Sequence, residues 1–489
     1  MANIMRPLNI FILVFILTMT LSAQIHWTSQ PVPDGSTLLL SICFNGNDTG
    51  FSGGWDWSQT FNVEGAGVYT TNGGVLWESS TLPDSTRVIL YSRIFNDSTG
   101  IATAAYNYNT RSNINLPEHI NELYRNKNFT QIPYALIGYV REEQTGGIIL
   151  KTADAGASWN TISVLPDSFS YITGACFTSK DTGFVIAPAD SFIHILKTTD
   201  GGYNWKDKFA FPKNSGSRSI VFSSPTNGIA VGYNIDSTEQ GIVAVTNDGG
   251  ENWIYQFITQ AGNLAAVSFS DKNTFYVTGQ NLQNSYIFKS TNAGIDWFQT
   301  SFQSTELFLD GINFLEGTDA GFVFGETLVN PLQIFFIKTD DGGNIWSEPE
   351  FIQDYSDNIT IGSYILDSDN IYLSGGFFTS GGLILKTSDA ALPVKSDLLV
   401  SPTAFTLGQN YPNPFNPSTK INYSIPQSSN IIMKVFDILG REVATLVNEE
   451  KPSGEYEVEF SGSNLPSGIY FYQLKAGAYS ETKKMILIK

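Results

Sequence analysis

The side chains able to do chemistry in this sequence are carboxylates, arginines and clustered aromatic rings. Acidic candidates are Asp56, Glu64, Asp190, Asp236 and Glu326. Two opposed carboxylates can cleave a glycosidic bond, one as acid and the other as base or nucleophile, but nothing in their spacing selects a pair. Gripping a carboxylate-bearing sugar would need an arginine cluster, but between residues 24 and 390 arginines stand only at 87, 93, 111, 125, 141 and 218, with Arg111, Arg125 and Arg141 confined to one stretch. His26, His119 and His194 are scattered and the sequence has no metal-ligand spacing, so neither a metal nor another cofactor is expected. Cys43 and Cys176 each precede a phenylalanine at a strand end and read as small buried hydrophobes, not a disulfide. There is no nucleophile elbow and no phosphate loop. Aromatic rings are the richer resource: Trp55, Trp57 and Phe61, then Tyr106, Tyr108 and Tyr124, then Tyr233, then Phe377 beside Phe378. Flat rings stack on the apolar faces of sugars and also anchor protein partners, so binding is favoured over catalysis.

Composition narrows what positions these groups. A net charge of −19 over 489 residues repels phosphate backbones and anionic lipid, which excludes nucleic acid as the expected partner. Only 15% of residues are charged and 13% are aromatic, with abundant glycine, a mix suited to short strands and many turns. At the N-terminus Arg6 precedes an apolar run from Leu8 to Leu21, and Leu21-Ser22-Ala23 has the form of a small-residue cleavage site. Residues 1–23 are therefore expected to be a secretory signal peptide.

Self-similarity organises the rest. The pattern Ser/Thr-x-Asp/Asn-x-Gly-x-x-Trp occurs at Thr70–Trp77, Thr152–Trp159, Thr198–Trp205, Thr246–Trp253, Ser290–Trp297 and Thr339–Trp346, and a truncated copy begins at Thr387. Its Asp/Asn residues are Asn72, Asp154, Asp200, Asp248, Asn292, Asp341 and Asp389. Such a side chain accepts hydrogen bonds from amides of a β-hairpin turn, and the following glycine supplies a positive φ, so these carboxylates read as structural. About seventeen residues after each tryptophan comes a strand ending in Phe44, Phe95, Phe177, Phe222, Phe269, Phe314 or, less cleanly, Leu366, followed by a polar turn. Four strands, A to D, per repeat of this length make a propeller blade. The seventh box lacks its tryptophan, while Trp27 stands seventeen residues before Phe44. Residues 25–30 are thus expected to supply the outer strand of the last blade and close the ring.

The boxes resemble the Asp-box (BNR) repeat families, which include sialidases, sortilin-like receptors, xyloglucan hydrolases and the photosystem II assembly-factor group. The resemblance spans residues 25–390 and implies a seven-bladed β-propeller, with residues 24–390 as that domain. It says little about activity, because one fold hosts many. The Phe-Arg-Ile-Pro motif of sialidases is absent. Blade 2 carries an insertion at about 105–145, where Leu116, Pro117, Ile120 and Leu123/Tyr124 suggest a short helix. Strand parity puts the Phe turns and Asp turns on one face and the B–C and D–A connections on the other, where the aromatic rings named above and the insertion belong; ligand sites of Asp-box enzymes also lie opposite their boxes.

After a linker at 391–403 the composition changes. Alternating strands punctuated by Gly and Asn turns read as a small immunoglobulin-like β-sandwich over 404–489. The marks YPNPFNPST, VFDILGREV, LPSGIYFYQL and KKMILIK closely resemble the type A sorting domain of type IX secretion cargo in the Bacteroidota. That resemblance implies recognition by the type IX machinery at the outer membrane, with Gly440, Gly454, Gly468, Lys483 and Lys484 as sorting residues. The whole reads as an all-β, exported or cell-surface binding protein, a monomer whose propeller takes a glycan or protein. The alternatives are a secreted polysaccharide hydrolase and an extracytoplasmic assembly factor.

Overall fold

The computed structural model describes residues 25–33, 38–56, 64–107, 145–392 and 405–488, apart from short gaps at 167, 170, 190–191, 235–239, 282, 329–331, 356–357, 378–380, 389, 391, 411, 426–428, 452–453 and 478. It divides into two compact units, Met1–Pro393 and Val394–Lys489.

The first unit is a seven-bladed β-propeller. Seven four-stranded antiparallel sheets follow one another along the chain, the fourth and fifth touching through the Tyr233–Asn263 pair. In blade 1 the strands are A (Leu38–Asn45), B (Thr49–Asp56), C (Glu64–Thr70) and D (Glu78–Ser79). Blade 7 takes its D strand from the N-terminus: Trp27–Gln30 pairs with Gly381–Thr387, Trp27 opposite Thr387 and Gln30 opposite Ile384. Trp27 packs edge-on against Phe336 of blade 6 at 5.6 Å, so it stands where the seventh box has no tryptophan. Past that box the chain stays on the propeller, with Ala390 and Leu392 buried.

The repeated residues hold each turn and join it to the neighbouring blade. In all six full boxes the Ser/Thr hydroxyl donates to the Asp or Asn Oδ1 at 2.7–3.0 Å and accepts the N–H of the second turn residue after it at 2.9–3.0 Å. The same Oδ1 accepts the N–H four residues on, such as Asn204 at 2.9 Å. Two successive residues then take positive φ. Alanine serves at the first place (Ala155, φ 62°; Ala293, φ 58°), but the second is glycine in all six boxes. Packing explains this: a Cβ on Gly250 would stand 2.3 Å from the Phe184 ring of the preceding blade.

At three blade junctions an aromatic residue of strand B lies against the phenylalanine ending strand A of the next blade, whose box tryptophan stands edge-on. Phe184, Phe222 and Trp253 form one such set, with ring centroids 4.1 Å apart for the stacked pair. Tyr276, Phe314 and Trp346 form another at 3.6 Å, and Tyr372, Phe44 and Trp77 a third at 4.3 Å. Each ring pair adds about 1 kcal/mol beyond its burial. Two assignments shift by one residue. Ile94, opposite Gly100, and Ile365, opposite Ile371, occupy the strand-A terminal position in blades 2 and 7, not Phe95 and Leu366. An aliphatic side chain fills that slot, so the phenylalanine that marks the other strand ends is missing there.

The second unit is a β-sandwich. One sheet orders Thr406–Leu407, Ser418–Ile425 and Gly454–Ser461. The other orders Glu442–Lys451, Ser429–Phe436, Gly468–Ala476 and Tyr479–Leu487. Alternate residues such as Ile421, Tyr423 and Ile425, or Ile431, Met433 and Val435, point into one core, as period-two burial requires.

Candidate functional site

One feature distinguishes the two propeller faces. Box connections run from Thr70 to Glu78, Thr152 to Asn160, Thr198 to Lys206, Thr246 to Ile254 and Ser290 to Phe298, with seven residues intervening in each, and from Thr339 to Glu350, with ten. On the opposite face the B–C connections range from Ala189–Phe192 in blade 3, with two residues between, to Asn107–Thr145 in blade 2, with 37 between. Hydrogen-bonding and packing constrain one face, and the other is free to vary.

Strand A is shaped toward that variable face by a bulge. The pairing skips Leu40 in blade 1, Arg218 in blade 4, Asp310 in blade 6 and Ile361 in blade 7. The bulge drives a strand-A carbonyl toward strand B, where only glycine fits: a Cβ on Gly54, Gly232, Gly325 or Gly375 would lie 1.8–2.0 Å from that oxygen. Trp55, Tyr233 and Glu326 each follow this glycine and so occupy equivalent places.

That placement corrects one aromatic expectation. Trp55 is 0% exposed, so it offers no open face to a ligand in this structure. Tyr233 is half-buried, its ring against Gly216 and 5.5 Å from the Arg218 guanidinium. Tyr106 is half-buried against Gly146, its strand partner. Trp57, Phe61, Tyr108 and Tyr124, the side chain of Phe377 and the expected helix near Pro117 lie outside the described residues. So do Asp389, Asp190, Asp236, Arg111, Arg125, Arg141 and the signal peptide.

The structure brings together a carboxyl pair that sequence spacing did not reveal. Glu326 is buried, its Oε1 accepts the Thr360 N–H of blade 7 at 2.7 Å, and its carboxyl hydrogen-bonds Asp310 across the bulge. Burial drives the Glu326 carboxyl well above the usual carboxylate range, and the Asp310 charge adds to this. Two carboxyls in direct contact share a proton; they are closer than the ~5 Å that lets a glycosidase pair flank a sugar bond. Their geometry thus suits a seam between blades 6 and 7. The Gly-Trp, Gly-Tyr and Gly-Glu steps near the end of strand B were the signal that could have exposed this position.

The remaining candidates are dispersed. Asp56 pairs in register with Glu64 across strands B and C. Arg93 donates to the Phe177 carbonyl, tying blade 2 to blade 3. Among the described residues no three His, Cys, Asp or Glu side chains converge to hold a metal. Both cysteines are free, and burial raises the Cys43 thiol to about 11.

In the second unit the marks at its two ends meet. Asn410 donates its N–H to the Tyr472 hydroxyl at 2.8 Å and its amide to Thr419 at 2.9 Å. Asn413 accepts the Ile486 N–H at 2.9 Å, and the Phe415 N–H donates to the Ile486 carbonyl at 2.9 Å. The motif containing Asn410 is thereby clasped to the last strand. Gly454 pairs with Ile425 and Gly468 with Leu487, Gly440 turns a hairpin at φ 75°, Lys483 ion-pairs with Glu481 at 3.4 Å, and Lys484 is exposed.

Residues 409–489 match the protein family described as the secretion system C-terminal sorting domain, which marks its carrier for the cell surface or the extracellular space. Among curated proteins, photosystem II assembly lipoprotein Ycf48 of Synechococcus sp. (strain CC9902) is 29% identical over 140 residues, covering 28% of this chain and 39% of that protein. The chain thus spans well under half the length of that relative. Among solved structures, the GH74 xyloglucanase of Xanthomonas campestris is 9% identical with a TM-score of 0.46, covering 94% of this chain and 75% of that one. The GH74 enzyme of Niastella koreensis is 12% identical with a TM-score of 0.39, covering 94% and 75%.

Proposed function

We propose that the propeller is a ligand-binding module carried outside the cell, and that it takes a glycan or protein on the face of its B–C and D–A connections. The observation that supports this reading is the contrast in connection length: seven residues in five of the six full boxes and ten in the sixth, but from two to 37 residues opposite them. Binding residues concentrate on variable loops held by a rigid scaffold. With Trp55 enclosed, the rings proposed to contact ligand are Trp57, Phe61, Tyr108, Tyr124 and Phe377, with Tyr106 and Tyr233 bordering them.

The test compares the full chain with a variant whose residues 109–143 are replaced by a two-residue connection, and with Trp57→Ala/Phe61→Ala. Each is applied to a polysaccharide array and to envelope proteins. Binding to one ligand class should fall at least tenfold in either variant, with thermal unfolding unchanged. Full binding by both variants would sink the assignment to this face, and silence across every glycan would end the carbohydrate reading.

A further inference from the structure

We propose that the tip of the hairpin joining Ser429–Phe436 to Glu442–Lys451 is an apolar knob that a protein of the secretion machinery receives in a complementary pocket. The inference rests on residues 409–489 acting as a sorting domain.

Ile438 is 69% exposed and Leu439 72%, side by side, in a domain that buries Ile421, Ile425, Ile431 and Leu474 completely. The turn does not need them. Asp437 Oδ1 accepts the N–H of Leu439 at 2.9 Å and of Arg441 at 3.0 Å, and its Oδ2 receives Arg441 Nε at 2.7 Å. The Gly440 N–H closes onto the Asp437 carbonyl at 3.0 Å, with Gly440 at φ 75°. Every bond that shapes the loop therefore comes from Asp437, Gly440, Arg441 and the backbone, and polar residues at 438 and 439 would fold the same turn.

Two aliphatic side chains at that position gain nothing within the domain. They stand on a preorganised tip, so little ordering cost remains when they enter a pocket. Asp437 and Arg441, ion-paired at 2.7 Å, stand on either side of them, giving the apolar centre and charged rim of a small recognition site. Two side chains are too little apolar surface to hold a lipid bilayer, which favours a protein pocket.

The full chain is expressed in a bacterium possessing the secretion system, and its surface and medium fractions are compared with the periplasmic fraction. Ile438→Ser/Leu439→Ser should lower the exported fraction at least tenfold, and Leu439→Lys alone should do so too, while thermal unfolding matches the parent. Ile438→Leu/Leu439→Ile should export normally. Export of both polar variants within twofold of the parent overturns the knob. A chain lacking 409–489 serves as the control: if it is still exported, the sorting reading itself fails, independently of the knob.

Discussion

Asp200 and Asp248 are ordinary surface carboxylates whose acidity records the turn they hold. Hydrogen bonds from Asn204, side chain first, bring Asp200 down to about 2, and the Asn252 backbone N–H leads the same effect at Asp248. Because the folded values lie below the unfolded value of ~3.9, their stabilisation is complete above about pH 4 and is lost as pH falls toward 2. Asp200→Asn/Asp248→Asn should flatten the melting temperature between pH 4 and 2.5, because asparagine, which holds the same place at Asn72 and Asn292, does not titrate; Asp200→Ala should cost about 1 kcal/mol. Glu326 has the opposite sign. Its folded carboxyl is raised, so its contribution is present below the unfolded value near ~4.3 and is lost as pH rises through the folded value. Glu326→Gln keeps an acceptor for the Thr360 N–H and a donor for Asp310, and should raise the melting temperature at pH 8 relative to pH 5 compared with the parent. An unchanged pH profile would mean that the pair ionises freely. The turn carboxylates were legible in sequence because the partners of Asp200 lie within four residues; Asp310 and Glu326 were not, because a bulge in one strand decides which side chain meets which.

At the level of the strand, the bulge and its facing glycine act as one device. Gly325→Ala would place a Cβ 1.8 Å from the Phe308 carbonyl, so strand A must shift, at about 3 kcal/mol. Blade 2 shows what the shift involves: Ala104 stands at the equivalent place, and its strand A carries two register breaks instead of one. Denaturant midpoints of Gly325→Ala and Gly228→Ala compare a contact with backbone against one with the Phe222 ring; a loss below 1 kcal/mol at Gly325 would show that the bulge relaxes freely. Strand order and the closing role of Trp27 were readable from periodicity. The ends of strand A in blades 2 and 7 were not, since Ile94 and Ile365 replace the aromatic residue that marked the others.

For the whole propeller, closure depends on a four-residue strand brought from the other end of the chain. Trp27→Ala removes the contact with Phe336 and should cost about 3 kcal/mol, with limited proteolysis cutting first in blade 7. Cleavage distributed evenly over the blades would show that the ring does not rely on this seam. The aromatic sets repeated between blades spread the remaining cohesion around the ring, so the variable face can lengthen a connection to 37 residues without disturbing the boxes beneath it.

Sequence alone determined the blade number, the closing strand, the Asp and Asn residues that hold the turns of the six full boxes, and the C-terminal sandwich, because each rests on local hydrogen bonding or on a period repeated along the chain. Tertiary structure alone decided that Trp55 is enclosed, that Glu326 and Asp310 share a seam, and that Ile438 and Leu439 stand exposed. Burial and pairing across strands depend on register and on the neighbouring blade or sheet, and a bulge of one residue is enough to decide which carboxyl groups meet.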